Sequence, residues 1–129
     1  MKATELMIGD WVFYIGDGEP KKRKVLEITA LKQVELFDGK DWSSWFLVGE
    51  KYIEPIPLTP EILEKNGFTR YGQVYANLQQ WVGKFGDKRK SFVQDIRTGE
   101  WGMNDVWINY VHELQHVLKL CGIEKEIVL

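Results

Sequence analysis

Asp10-Trp11-Val12-Phe13-Tyr14-Ile15 is an aromatic and β-branched run that Gly16-Asp17-Gly18 and Pro20 then break. Such residues pack well on a pleated surface, and glycine beside aspartate marks a turn, so the stretch predicts a strand entering a hairpin. The same texture continues outward from it. Lys24 to Thr29 alternates with Leu26 and Ile28 opposite Glu27 and Val25 off the pattern, and Val34 and Leu36 alternate with Gln33 and Glu35 before Asp38-Gly39. Trp45 to Val48 and Tyr52-Ile53 follow, and Pro55 and Pro57 close the run because proline cannot serve a central ladder. Short strands spaced by tight turns predict a small β-barrel-like half over residues 1–58, of the Src-homology-3 kind.

Residues 59–129 read differently. Thr59 can cap a helix, Pro60 suits its first position because the missing N–H is unsatisfied there in any case, and Glu61 favours the positive end of the dipole. Asn66-Gly67 stops it after about two turns. Strand texture returns at Gln73 to Ala76, Leu78 to Phe85, Ser91 to Ile96 and Val106 to Ile108, with Gly86-Asp87 and Thr98-Gly99 placed for antiparallel turns. Tyr110 to Cys121 predicts an amphipathic helix ended by Gly122, and Glu126 to Leu129 a terminal strand. The expected class is therefore α+β. With no long linker, the two parts are expected to pack as one compact unit.

Composition excludes several functions. Lys plus Arg (17) nearly balances Asp plus Glu (19), and the balance holds in both halves, so clustered-cation binding of nucleic acid is not expected and a protein partner is preferred. The dense clusters, Lys21-Lys22-Arg23-Lys24 and Lys88-Arg89-Lys90, follow turn signals and read as solvated hairpin ends. A lone Cys121 cannot form an internal disulfide. The opening residues carry Glu5 and no export-type apolar stretch, and the longest strongly apolar run is Trp11 to Ile15. These point to a cytoplasmic protein away from membranes, and no motif calls for a cofactor.

His112-Glu113-Leu114-Gln115-His116 matches the H-E-x-x-H pattern, in which two histidines one turn apart hold zinc and the glutamate activates water. At about 100° per residue, Leu114, Val117, Leu118 and Cys121 form a stripe opposite His112 and His116, which fall beside Lys119. Both imidazoles are therefore expected to face water. No further histidine exists in the chain, and an extended form would need glycine at Lys119 and histidine at Gly122. A zinc-dependent hydrolase using His112, Glu113 and His116 is the alternative to a non-enzymatic interaction module, which is the main expectation. For that module the candidate surface is Trp42 and Trp45, flanking Ser43-Ser44, with Lys22, Arg23 and Lys24. Trp11, Trp81 and Trp107 are expected to pack inside strands, and Cys121 to be a buried, inert thiol.

Glu5-Leu6-Met7-Ile8-Gly9-Asp10-Trp11-Val12, the centre from Ile53 to Phe68, and Tyr110-Val111-His112-Glu113-Leu114-Gln115 together resemble a group of small uncharacterised proteins from gut Bacteroides-type bacteria and their phages or mobile elements. The resemblance implies no assigned activity. Members of the group that close on histidine-glutamine-leucine-glutamine-asparagine lack the glutamate and the second histidine, which counts against zinc at His116. A phage or mobile-element setting implies an accessory role, such as acting on a host protein.

Overall fold

The computed structural model describes residues 1–75, 77–103 and 106–129. The protein is mostly β, with two five-stranded antiparallel sheets and two α-helices among the described residues, consistent with the α+β class. Two compact units divide the chain, Met1–Ile56 and Pro57–Leu129.

In the first unit, β1 (Trp11–Tyr14), β2 (Lys21–Ile28), β3 (Gln33–Phe37), β4 (Phe46–Gly49) and β5 (Ile53–Pro55) form a sheet of order β4-β3-β2-β1-β5. Alternation sends Val12, Val34, Leu36, Val48 and Ile53 to one face, where Ala3 and Leu6 join them in a buried cluster. Val25, which breaks the sequence pattern, is a member of this core. A bulge between Val25 and Glu27 inserts an extra residue, so both Val25 and Ile28 meet core partners across the ladder, Leu36 and Val34. β2 also begins earlier than expected. Lys21 to Lys24 pair with Tyr14 to Trp11, so the basic run starts at the closing pair of the hairpin, as expected, and continues along the strand.

In the second unit, α1 (Pro60–Lys65) starts where the sequence indicates: the Thr59 hydroxyl accepts from Ile62 N–H at 3.3 Å. Five strands then meander: β6 (Phe68–Tyr75), β7 (Leu78–Phe85), β8 (Lys88–Asp95), β9 (Trp101–Met103) and β10 (Val106–Trp107). The expected strand Gln73 to Ala76 is the end of β6, with Ala76 outside the described residues. Gly86 and Asp87 close the β7–β8 hairpin, with Phe85 paired to Lys88. This puts Lys88-Arg89-Lys90 on a strand as well.

One face of this sheet carries a buried aromatic core. Phe68 and Phe92 lie 5.2 Å apart, and Trp81 meets Trp101 edge-on at 5.8 Å, with the Trp101 indole N–H donating to the Leu58 carbonyl. Gly83 makes room for Phe68: a Cβ there would sit 2.5 Å from the ring. Trp107, expected to pack, is exposed because β10 is a two-residue edge strand; the buried tryptophan of this region is Trp101.

α2 (Val111–Leu120) is held at both ends. Its last carbonyl region accepts from Lys88, whose ammonium donates to the Gly122 carbonyl at 2.7 Å, a cation placed at the negative end of the dipole. Beyond it the expected terminal strand does not form. The Asn66 side chain, fully buried, accepts from Val128 N–H at 2.7 Å and donates to the Val128 and Ile62 carbonyls at 2.8 Å each, so one amide does the work of a ladder. Ile123 and Ile127 bury themselves alongside.

Candidate functional site

The H-E-x-x-H helix differs from its expected orientation. His112 is only 6% exposed, buried with Val111, Leu114 and Leu118, whereas Val117 and Cys121 are half-buried. The inward arc is thus rotated toward His112, and the expectation that both imidazoles face water is wrong for it. Its neighbours explain this. Tyr110 stacks on His112 with ring centres 5.9 Å apart and 14° between planes, and His116, half-buried, meets it edge-on at 5.6 Å. These rings give His112 aromatic surface to pack on, so an imidazole at the edge of the stripe turns in rather than out.

Glu113 is committed elsewhere. Its Oε1 accepts from the backbone N–H groups of Asn109 at 3.0 Å and Tyr110 at 3.1 Å, the glutamate half of a capping box. A helix start leaves N–H groups without intrahelical partners, and a carboxylate reaching back satisfies them. That carboxylate points to the entry of the helix, where the surrounding chain is fixed by Trp101 N–H on Asn109 Oδ1 at 3.0 Å and Leu58 N–H on the Asn109 carbonyl at 2.9 Å. Among the described residues, no group of three or more His, Cys, Asp or Glu side chains is placed to hold a metal ion.

The aromatic and basic candidates of the first unit come together only in part. Trp11, Lys24 and Phe37 stand in one cross-strand row, on the sheet face opposite the core. Lys24 Nζ lies 5.5 Å over the Trp11 ring, and Trp42 stacks on Phe37 at 4.7 Å with 10° between planes. Lys22 sits on the same face, in register with Phe13 and Glu54. Arg23 does not join them. Alternation places it opposite buried Val12, and its guanidinium donates to the Lys22 carbonyl at 2.7 Å. Trp45 precedes Phe46, which packs edge-on against Tyr14 toward the core, so alternation sets Trp45 with Leu47 on the outer side.

A loop dense in hydrogen bonds carries the two tryptophans. The Asp38 carboxylate accepts from Lys40 and Asp41 N–H at 2.8 Å each, and Asp41 accepts from Ser43 N–H and its hydroxyl at 2.9 and 2.7 Å. The Ser44 hydroxyl donates to the Asp41 carbonyl at 2.6 Å and accepts from Asp38 N–H at 3.1 Å. The backbone N–H groups of Asp41 and Lys40, in that order, hold the Asp38 carboxyl below its ordinary range. Gly39, at φ +91°, lets the loop pass under Trp11; a Cβ there would lie 2.6 Å from the indole. Trp42 is nevertheless 64% exposed and Trp45 53% exposed. Sequence reasoning found both rings but not what fixes them, although Asp38, Asp41 and Ser44 are the residue types that build such turns.

The chain matches no family model, no curated protein and no solved structure. No helix is long and apolar enough to cross a membrane among the described residues.

Proposed function

We propose that the protein is a non-enzymatic interaction module whose recognition surface is the outer face of the first unit, centred on Trp42 and Trp45 with Lys24 and Lys22 at its side. The observation that carries this reading is an exposed tryptophan held by a loop that satisfies its own polar groups. Tryptophan contributes large binding energy when a partner covers it, and a ring already fixed loses little entropy on binding. The partner is a protein segment that offers apolar surface to the indoles and a carboxylate to Lys22 or Lys24. The sheet order, with a 3₁₀ turn at Glu50–Tyr52 before β5, supports a small barrel of the Src-homology-3 kind as the scaffold. The setting is cytoplasmic, and the role is accessory, in a bacterial or phage genome.

The engagement of Glu113 Oε1 at the helix entry counts against the zinc-hydrolase alternative. Binding to a library of displayed random peptides tests the module. Trp45→Ala, which uncovers no buried ring, is expected to abolish binding with an unchanged melting temperature. Trp42→Ala should lose binding and also some stability, because it would uncover Phe37, which is buried beneath the indole. Peptides that bind both variants as well as the wild type would refute the proposal.

A further inference from the structure

The face of the second sheet away from its aromatic core is covered at Val82 and carries exposed rings around it. Its strands bury Phe68, Trp81, Phe92 and Trp101 on one side, and alternation sends Leu78, Gln80, Val82 and Lys84 of β7 to the other. Across the ladder from these stand Asp95, Val93, Ser91 and Arg89. Three large rings are exposed here: Tyr71 at 67%, Tyr75 at 69% and Trp107 at 58%. A register shift between Arg70 and Gly72 turns Tyr71 to this side, where the Arg89 guanidinium lies 5.6 Å over its ring. Tyr75 pairs with Leu78, and Trp107 pairs with Gly102 across the β9–β10 ladder.

Charge on this face is one-sided at one end. Lys84 and Arg89 stand directly opposite each other, an arrangement of like charges that destabilises a ladder unless an anion lies between them. Among the described residues on these strands, the face carries one carboxylate, Asp95, six residues along β7 from that pair, or about 20 Å at roughly 3.4 Å per residue. It is also occupied. Desolvation would raise the Asp95 carboxyl, but the Arg97 backbone N–H and side chain and the Asn77 amide outweigh this and hold it below its ordinary value.

We infer that this face binds a short single-stranded nucleic acid, its bases stacking on Tyr71, Tyr75 and Trp107 and its phosphates meeting Lys84 and Arg89. The inference uses residues of the second unit alone and does not depend on the peptide surface proposed above. Exposed flat rings on a sheet are platforms for bases, because every base has a π-face, and at the Tyr71 end Arg89, with Lys84 across the ladder, supplies the attraction for phosphate. Tyr71 and Trp107 stand on the outer strands, about 19 Å apart at roughly 4.8 Å per strand spacing, which suits a strand of a few nucleotides lying across the sheet. Gln80 and Ser91, between them, offer donors and acceptors to base edges. The near-neutral total charge is no obstacle, since both cations belong to one local face.

Fluorescence anisotropy with labelled oligo-dT, oligo-U and a duplex of the same length, at low salt, tests this. Both single strands should bind and the duplex should not; the ratio of the two single strands reports whether a 2′-hydroxyl is read. Tyr71→Ala and Trp107→Ala should each weaken binding about five- to a hundredfold, whereas Tyr71→Phe keeps it. Arg89→Ala should reduce the slope of log affinity against log salt by about 0.7. All these side chains are exposed, so melting temperatures serve as the check that the variants fold. Absence of binding at low salt, equal binding of duplex, or polyglutamate binding that ignores Tyr71→Ala would overturn the inference.

Discussion

Replacing Glu113 by alanine separates a structural glutamate from a catalytic one. In the wild type, Oε1 takes the N–H groups of Asn109 and Tyr110 at 3.0 and 3.1 Å, and Asn109 in turn receives Trp101 and Leu58. Alanine leaves two donors at the entry of α2 without their acceptor. Tyr110 is exposed and Asn109 half-buried, so water recovers part of the loss, and a cost of about 1–2 kcal/mol is expected. For a chain of this size that is a fall of roughly 4–8 °C in melting temperature. Glu113→Gln keeps a carbonyl oxygen at the same reach and gives up only the charge facing the helix dipole, about 0.3–1 kcal/mol. Circular-dichroism melts of the three proteins, with zinc content measured on untagged material, form the assay. If the glutamate were a water-activating base, both variants would melt like the wild type and the purified protein would hold stoichiometric zinc that disappears in His112→Ala. That pattern would refute the capping argument.

Asn66→Ala removes three hydrogen bonds of 2.7–2.8 Å from a fully buried site and should cost about 2–4 kcal/mol. Hydrogen exchange should quicken first at Val128, and unchanged protection there would contradict the clasp. Asp38 supplies a pH effect. Its folded carboxyl is depressed below 3.8, so its contribution is complete above the ordinary carboxylate value and is lost as pH falls through the lower folded value. A carboxyl titration followed by NMR should place Asp38 under 3.8, and a midpoint at or above 3.8 would show that the Trp42 loop is not held as described.

Elements bounded by strong local chemistry were legible in the sequence. Thr59-Pro60 and Asn66-Gly67 bracket α1, and Gly86-Asp87 marks the turn between β7 and β8, because caps and tight turns depend on residues adjacent in the chain. What depends on distant partners was not. The bulge at Val25 shows in β2 only as a residue off the alternation, with nothing to say which face it takes, and Trp101–Met103 is too short for alternation to register. Glu126 to Leu129 has the residues of a strand, yet a side chain sixty-two positions earlier takes the backbone groups at Val128. His112 lies at the edge of a helical stripe, and its burial follows from rings beside it rather than from periodicity. At the candidate sites, Trp42, Trp45, Lys22 and Lys24 share a face that alternation denies to Arg23. The exposure of Tyr71 and Tyr75 is not legible in the sequence, since it depends on two register shifts against β7.

The irregularities of β6 have a consequence for how copies of this protein behave at high concentration. β6 is an outermost strand, eight residues long, and a straight strand of that length with free backbone groups would invite a neighbouring molecule to extend the sheet. Its register breaks twice, between Arg70 and Gly72 and between Gln73 and Tyr75. An approaching chain therefore finds only short stretches of matching donors and acceptors, separated by twists that turn it away. At the other margin, β10 offers two residues among those described. The kinks that lift a tyrosine into solvent also make this edge a poor template for a further strand.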